Sequence, residues 1–147
     1  MEDSEHRALA AATYNRCWEL LDAPTRTSET DRDLLTAAFA SRHHWSMVGG
    51  VEQQICADWM VARAFSSLGE GRLAVDFAQR AYDVAQHSSV PDWLLASTAE
   101  GLARAYAASA MVEQRDAWCV IAGRLVDAIA DDEDRTLIVS QLMTVPR

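Results

Sequence analysis

The sequence predicts an all-α protein of about seven antiparallel helices stacked as helix hairpins. Apolar residues recur at helical spacing along almost the whole chain, and no segment has the alternation of a strand. Half of the residues are hydrophobic, with abundant alanine and only 6 glycines and 3 prolines. Alanine favours helix because it loses no side-chain entropy there. At 147 residues, the chain is expected to form one domain, residues 1–147, with a substantial core.

Local signals set the ends of the first four helices. Pro24 follows the first helix, and Ser28 with Asp31 three residues later favours an N-cap for the second. Gly49 and Gly69 favour the ends of the second and third helices. The connections are short, so neighbouring helices should pack antiparallel. In chain order we predict helices at residues 5–21, 28–48, 51–68 and 71–87, a fifth that starts at Pro91, and helices at 111–130 and 131–143.

Different signals mark the last three helices. Pro91 fits the first turn of the fifth helix, where its missing N–H has no intrahelical partner to lose. The acidic run Asp131-Asp132-Glu133-Asp134 favours the start of the seventh, because carboxylates stabilise the positive end of a helix dipole.

Charge and cysteine content narrow the range of partners. A net charge of −9 argues against nucleic acid or an anionic membrane, since both require a basic surface. No apolar run approaches the roughly 20 residues that span a bilayer, and the acidic N-terminus lacks the features of a secretion signal, so we expect a cytoplasmic protein.

Cys17, Cys56 and Cys119 are odd in number and widely spaced, which predicts neither a disulfide framework, a metal site nor a cofactor.

An internal repeat is the most informative pattern. Ala62-Arg63-Ala64-Phe65 recurs further along the chain as Ala103-Arg104-Ala105-Tyr106. We call the separation between these two segments the repeat offset, and at the same offset Gly69 corresponds to Ala110. The repeated unit is therefore a long helix, a tight turn and a second helix. We predict core pairs at residues 51–87 and 91–130, with capping helices at 5–21, 28–48 and 131–143.

These residues resemble the tetratricopeptide pattern. With Gly69 as the turn glycine, the small and aromatic positions of that pattern are occupied by Ala62, Phe65, Ala74, Ala78 and Ala81. The second unit diverges, since Ala110 replaces the glycine and Arg115 stands at a small position, and the repeat offset exceeds the usual value of roughly 34 residues. The resemblance implies a right-handed solenoid whose first helices line a concave surface that binds extended peptides.

A second resemblance concerns the end of the second helix. Arg42-His43-His44-Trp45 with Gly49 is similar to a His-Trp…Gly segment of small uncharacterised bacterial helical proteins. That resemblance implies no particular chemistry.

The repeated first helices carry matching side chains opposite their apolar stripes. Each presents one tryptophan, one glutamate and one arginine, a composition typical of binding hot spots. These residues are Glu52, Trp59 and Arg63 on the third helix and Trp93, Glu100 and Arg104 on the fifth. The first hypothesis is a non-catalytic interaction module that binds a peptide or partner helix there. In the alternative interpretation, Glu100 and Arg104 form a surface ion pair and the tryptophans simply pack under neighbouring helices.

The competing hypothesis is a small enzyme or a ligand- or metal-binding protein. Asp58 falls on an apolar stripe, where a carboxylate requires an ionic or hydrogen-bonding partner from a neighbouring helix. That partner is expected to be an arginine or a histidine, or else Asp58 is a general base or metal ligand. Adjacent residues on a helix diverge by about 100°, so one histidine of the His43-His44 pair can face Asp58. The pocket would lie between the second, third and fifth helices, around His43, His44, Trp45, Asp58 and Glu100.

A third hypothesis is an obligate homodimer that buries leftover aromatic faces, since five tryptophans in so short a chain predict a large buried surface. His6 and His87 have no evident partner in the sequence and are expected to be solvated. No complete catalytic motif occurs along the chain.

Overall fold

The computed structural model describes all 147 residues and contains seven α-helices and no strands, as the all-α prediction requires. The helices are α1 (Asp3–Leu21), α2 (Ser28–Val48), α3 (Val51–Ser67), α4 (Gly71–Gln86), α5 (Asp92–Ala108), α6 (Val112–Asp127) and α7 (Asp132–Leu142).

The predicted N-cap of α2 is wrong by one residue. Thr27, rather than Ser28, caps the helix, because its Oγ1 accepts a hydrogen bond from the Thr30 backbone N–H at 3.2 Å. Thr30 Oγ1 in turn accepts a bond from the Thr27 N–H at 2.6 Å. Asp31, which the sequence suggested as the partner of the N-cap residue three positions earlier, instead pairs with Arg26 at 2.6 Å.

The helices form two layers. The backbones of the odd-numbered helices contact one another in the order α1, α3, α5 and α7, and each even-numbered helix packs between its two chain neighbours. The backbones of α2, α4 and α6 do not contact one another directly. Aromatic side chains bridge them instead: Phe39 lies 5.8 Å from Phe77, and Tyr82 lies 4.8 Å from Trp118, between ring centroids. We call the odd-numbered helices the inner layer and the even-numbered helices the outer layer.

The internal repeat is visible in the helix bounds. Both ends of α5 follow those of α3 by the repeat offset, and both ends of α6 follow those of α4 in the same way. The turns correspond as well, since Gly69 and Ala110 adopt φ values of +75° and +56°. The Glu70 N–H donates to the Phe65 carbonyl at 3.0 Å, and the Met111 N–H donates to the Tyr106 carbonyl at the same distance. The two hairpins are thus built with the same local hydrogen bonding.

Small side chains bring the helices close together. Fifteen of the 37 buried residues are alanine, which lets helix backbones approach without leaving voids. One close approach is at Gly71, where a Cβ atom would overlap Ser109 directly after α5. The main core cluster joins α1 to α5, and a smaller one, which includes Val126, Ile129 and Ile138, fixes α7.

None of the seven helices has both the length and the apolar character required to cross a bilayer.

Candidate functional site

Three cavities lie along the inner layer of helices. Residues of α1, α3 and α5 line each of them, and residues of α7 line one. Along α3 from its N-terminus, Glu52, Cys56, Trp59 and Arg63 recur every three or four residues and border three successive cavities. We call these the entry cavity, the central cavity and the arginine cavity, and together the inner groove.

The central cavity has a volume of about 390 Å³ and is predominantly apolar and aromatic. Residues from α1, α3, α5 and α7 contribute to its lining: Tyr14, Trp18, Cys56, Trp59, Trp93, Leu94, Ser97, Leu137, Ile138 and Gln141. The entry cavity, of about 340 Å³, shares Tyr14, Cys56 and Trp93 with it and adds Trp45 and Glu52. Because they share lining residues, the two cavities are adjacent, and we call them together the apolar cleft.

Trp59 is held in a fixed position beside the central cavity. Its side chain is buried, and the indole Nε1 donates a hydrogen bond to the Ser97 carbonyl at 3.0 Å. The ring lies against Gly101, where an added Cβ would come within 3.0 Å of the indole Cδ1. The Trp18 ring centroid lies 5.8 Å from that of Trp59. The hydrogen bond and these two neighbours fix the indole where it borders the central cavity.

Burial favours the neutral form of two ionisable groups in the apolar cleft, the Tyr14 hydroxyl and the Cys56 thiol. Burial raises the pKa of the Tyr14 hydroxyl above its usual value, so the phenol stays protonated. Burial and the neighbouring Glu52 raise the pKa of Cys56 to about 11. Because the thiolate is the nucleophilic form of cysteine, Cys56 is a poor nucleophile near neutral pH. The cleft is suited to binding apolar groups.

Glu100 lies beneath the groove and is completely buried. Arg104 donates to its Oε1 from Nη2 at 2.6 Å and from Nε at 2.8 Å, and Arg63 Nη1 lies 3.7 Å from the same oxygen. The expected Glu100–Arg104 pair therefore exists, but the interpretation as a surface ion pair is wrong. Arg104 also donates to the Gln141 carbonyl at 2.9 Å and to Thr144 Oγ1 at 2.7 Å, which ties α5 to the C-terminal segment.

Arg63 stands between the apolar cleft and the arginine cavity. Its guanidinium carbon lies 5.7 Å from the Trp18 ring centroid and 6.0 Å from that of Trp59, within the range of cation–π attraction. Burial and the nearby Arg104 lower the pKa of Arg63, whereas Glu100 and Asp22 raise it. The arginine remains charged at neutral pH, since guanidinium groups do not lose their proton in proteins.

Five of the six predicted groove residues border a cavity. Glu52 and Trp93 border the entry cavity, Trp59 and again Trp93 the central cavity, and Arg63 and Arg104 the arginine cavity. Trp59 is nevertheless a buried side chain, and Glu100 is completely buried and borders none of the three.

The contributions of α1 and α7 to the central cavity were not predicted from the sequence. Tyr14 and Trp18 on α1 and Leu137 and Ile138 on α7 line the central cavity, although both helices were expected only to cap the repeat. The aromatic pair Tyr14 and Trp18, spaced four residues apart on one face of α1, is the signal that could have indicated the contribution of α1.

Asp58 is held by arginines. Its Oδ1 accepts a hydrogen bond from Arg42 Nε at 2.7 Å, and Arg80 Nε lies 3.7 Å from Oδ2. The expected arginine partner is therefore present, whereas neither His43 nor His44 takes that role. Asp58 borders a small cavity of about 170 Å³ with these arginines.

Three of the four histidines form a separate cluster between α1 and α2. His44 Nδ1 lies 2.9 Å from His6 Nδ1, so the expectation that His6 is simply solvated is wrong. The His43 and His44 ring centroids are 5.2 Å apart, even though the two residues are adjacent on the helix. The residues proposed for a pocket between α2, α3 and α5 thus occupy separate surroundings: His43 and His44 beside α1, Asp58 beside α4, and Glu100 under the groove.

No group of three or more His, Cys, Asp and Glu side chains is arranged to hold a metal ion. Comparison of the chain with protein-family models, curated proteins and solved structures finds no match.

Proposed function

We propose that the protein is a non-catalytic interaction module that binds a short, extended peptide segment in the inner groove. The observation that carries this proposal is the alignment of three cavities along one face of α3, with an aromatic centre and charged ends. Tryptophan, tyrosine and arginine are the residue types most enriched at binding hot spots. Here they come from α1, α3 and α5 to a single surface.

The dimensions and charges of the groove favour an extended peptide as its occupant. Between Glu52 and Ser67, α3 rises about 22 Å, a length that about seven extended residues cover. Glu52 lies at one end of the groove, and Arg63 and Arg104 at the other. A peptide with apolar side chains at its centre, a basic residue towards Glu52 and an acidic residue towards the arginines would complement this surface.

The proposal includes a tetratricopeptide-like, right-handed arrangement of the hairpins. It is supported by the equal offset of both helix pairs and by the equivalent turns at Gly69 and Ala110. In such arrays, the first helices of each repeat face the ligand, which corresponds here to α3 and α5.

Selection from a peptide library tests this function. Randomised nonapeptides would be displayed and selected on the immobilised protein, and enriched sequences synthesised for titration against the wild type and Trp93→Ala. Trp93 borders both apolar cavities, so truncation at a hot spot should weaken binding by roughly 30-fold. Trp118→Ala is the matched control, because Trp118 packs against Tyr82 on the outer layer, and we expect less than about a twofold change there. Failure to enrich any sequence, or equal losses in both variants, would overturn the proposal.

The central cavity supports a second candidate function, binding of a small apolar molecule. Its volume of about 390 Å³ falls within the range typical of ligand pockets. A thermal-shift screen of small aromatic compounds distinguishes binding of a small molecule from binding of a peptide. If such compounds raise the melting temperature of the wild type but not of Trp93→Ala, while no nonapeptide is enriched, ligand binding is favoured.

A further inference from the structure

The arginine cavity differs in chemistry from the apolar cleft beside it. It has a volume of about 460 Å³ and a mainly polar lining. Arg26, Arg63 and Arg104 all border it, although the chain carries a net charge of −9. Asp22 is the carboxylate at its rim. Because three guanidinium groups border one cavity of an acidic protein, the question is which of their charges are balanced by carboxylates of the chain itself.

Two of these arginines are satisfied within the protein. Arg26 Nη2 donates to Asp31 at 2.6 Å and to Ser67 Oγ at 3.2 Å. Arg104 makes two hydrogen bonds to Glu100 Oε1 at 2.6 and 2.8 Å. Their charges are therefore largely neutralised by the carboxylates that they contact.

Arg63 is different. Only 18% of its side chain is exposed, and its one ionic contact is the 3.7 Å approach to Glu100, which Arg104 already engages. Its Nη1 atom is buried without a hydrogen-bond partner, and so are Ser66 Oγ and Glu100 Oε2. Buried donors without acceptors are costly, and charged ones most of all. The exposed part of the Arg63 side chain borders the cavity, where an acceptor from outside the chain would balance the charge for which Glu100 is shared with Arg104.

We propose that the arginine cavity binds an oxyanion, a carboxylate or phosphate group, through Arg63 with support from Arg104 and Ser66. Guanidinium groups match carboxylate and phosphate oxygens with two parallel hydrogen bonds. The claim that this oxyanion belongs to the peptide in the inner groove rests on the proposed function. Oxyanion binding itself does not, because the cavity can be probed with small anions alone.

Sodium phosphate and sodium acetate are the probes, titrated separately at constant ionic strength. The indole N–H signals of Trp18 and Trp59 report binding by nuclear magnetic resonance, since both rings lie within about 6 Å of the Arg63 guanidinium. We expect saturable shifts with millimolar affinity that Arg63→Gln weakens at least tenfold. Arg63→Lys, which keeps the charge but loses the planar group, should retain intermediate affinity and serves where the glutamine variant does not fold.

Asp22→Asn provides a test in the opposite direction. Asp22 is exposed at the rim and competes electrostatically with a bound anion, so its neutralisation should tighten binding roughly two- to fivefold. Saturation by phosphate alone would indicate a phosphorylated ligand, and saturation by acetate as well would indicate a carboxylate; both support the site. Absence of saturable shifts with either anion, equal affinity in Arg63→Gln, or no tightening in Asp22→Asn would overturn it. If the selected peptides contain no acidic residue, the oxyanion does not come from the peptide. That result would contradict only this assignment and would not contradict the proposed function.

Discussion

Ala110 holds the same left-handed backbone conformation as Gly69, its counterpart in the first hairpin of the repeat, with φ values of +56° and +75°. Each residue ends the first helix of a hairpin and directs the chain into the second helix. Glycine adopts this conformation without steric cost, whereas a Cβ atom makes it unfavourable by about 1–2 kcal/mol. The second hairpin therefore keeps the turn of the first but carries strain at its centre.

Ala110→Gly should relieve this strain. We expect the free energy of unfolding to rise by about 1 kcal/mol, because the conformational penalty removed exceeds the added entropy of glycine in the unfolded chain. Denaturant unfolding measures the change. Ala117→Gly is the control, since Ala117 is exposed in the interior of α6 and glycine there should cost about 1 kcal/mol. Equal destabilisation by both substitutions would show that the turn at Ala110 is not strained.

Gly101→Ala should disturb the lining of the central cavity. The new Cβ would meet the Trp59 indole at 3.0 Å, and that indole is held by its hydrogen bond to Ser97 and by the Trp18 ring. We expect a net loss of about 1 kcal/mol of stability, since overpacking outweighs the helix propensity gained. A change in tryptophan fluorescence should accompany it.

Gly123→Ala is the matched control for Gly101→Ala. A Cβ at Gly123 would meet no atom within 4 Å, so replacing this helical glycine should raise stability by about 0.5–1 kcal/mol. If both substitutions stabilise the protein, then Trp59 is free to move.

The Asp58–Arg42 contact should act as a structural ion pair. Asp58 has an 11% exposed side chain and Arg42 a 35% exposed one, so solvent weakens the interaction only in part. A double-mutant cycle with Asp58→Ala and Arg42→Ala should give a coupling of about 1–2 kcal/mol. The exposed pair Arg16 and Glu19 should give less than about 0.5 kcal/mol. A coupling no larger than that of the exposed pair would contradict the structural role of Asp58.

Stability should depend on the protonation of His44. Partial burial, together with the neighbouring His6 and His43, lowers the pKa of His44 in the folded protein. The unfolded chain, where histidine has a pKa of about 6.5, then binds the proton more readily. The contribution of His44 is therefore complete above about pH 6.5 and is lost as the pH falls towards the lowered value.

The pH dependence is measured as the difference in unfolding free energy between about pH 7.5 and pH 5.5, a range that spans the titration of histidine. His44→Gln should lose less stability on acidification than the wild type. His87→Gln is the control, since His87 is exposed and its side chain forms one hydrogen bond, to the Asp83 carbonyl at 2.8 Å. If the wild type and His44→Gln lose the same stability on acidification, then the protonation of His44 does not affect stability.

The sequence contained enough information to predict the helices and the side chains of α3 and α5 that border the groove. Apolar spacing and the turn glycines define the helix ends, because these signals are local. The repeat offset placed Trp59, Arg63, Trp93 and Arg104 on matching faces of α3 and α5, and a repeated hairpin directs equivalent faces to the same surface.

The missed features depend on packing between distant helices. The hydrogen bonds that Arg104, the partner of Glu100, donates to Gln141 and Thr144 depend on how the C-terminal segment packs against α5. The contact between His6 and His44 depends on the register of α1 against α2. A periodic pattern describes one helix at a time, so it carries no information on which residue of another helix covers a given side chain.

Nuclear magnetic resonance of the tryptophan indoles tests most directly whether a peptide occupies the inner groove. A library-selected nonapeptide would be titrated into protein labelled with ¹⁵N, and each indole N–H signal followed. Trp18, Trp59 and Trp93 line the central cavity, whereas Trp118 lies on the outer layer. We expect saturable shifts of the three groove signals with that of Trp118 unchanged. Binding that leaves the three groove signals in place, or that shifts only Trp118, would contradict the assignment of the groove as the peptide site.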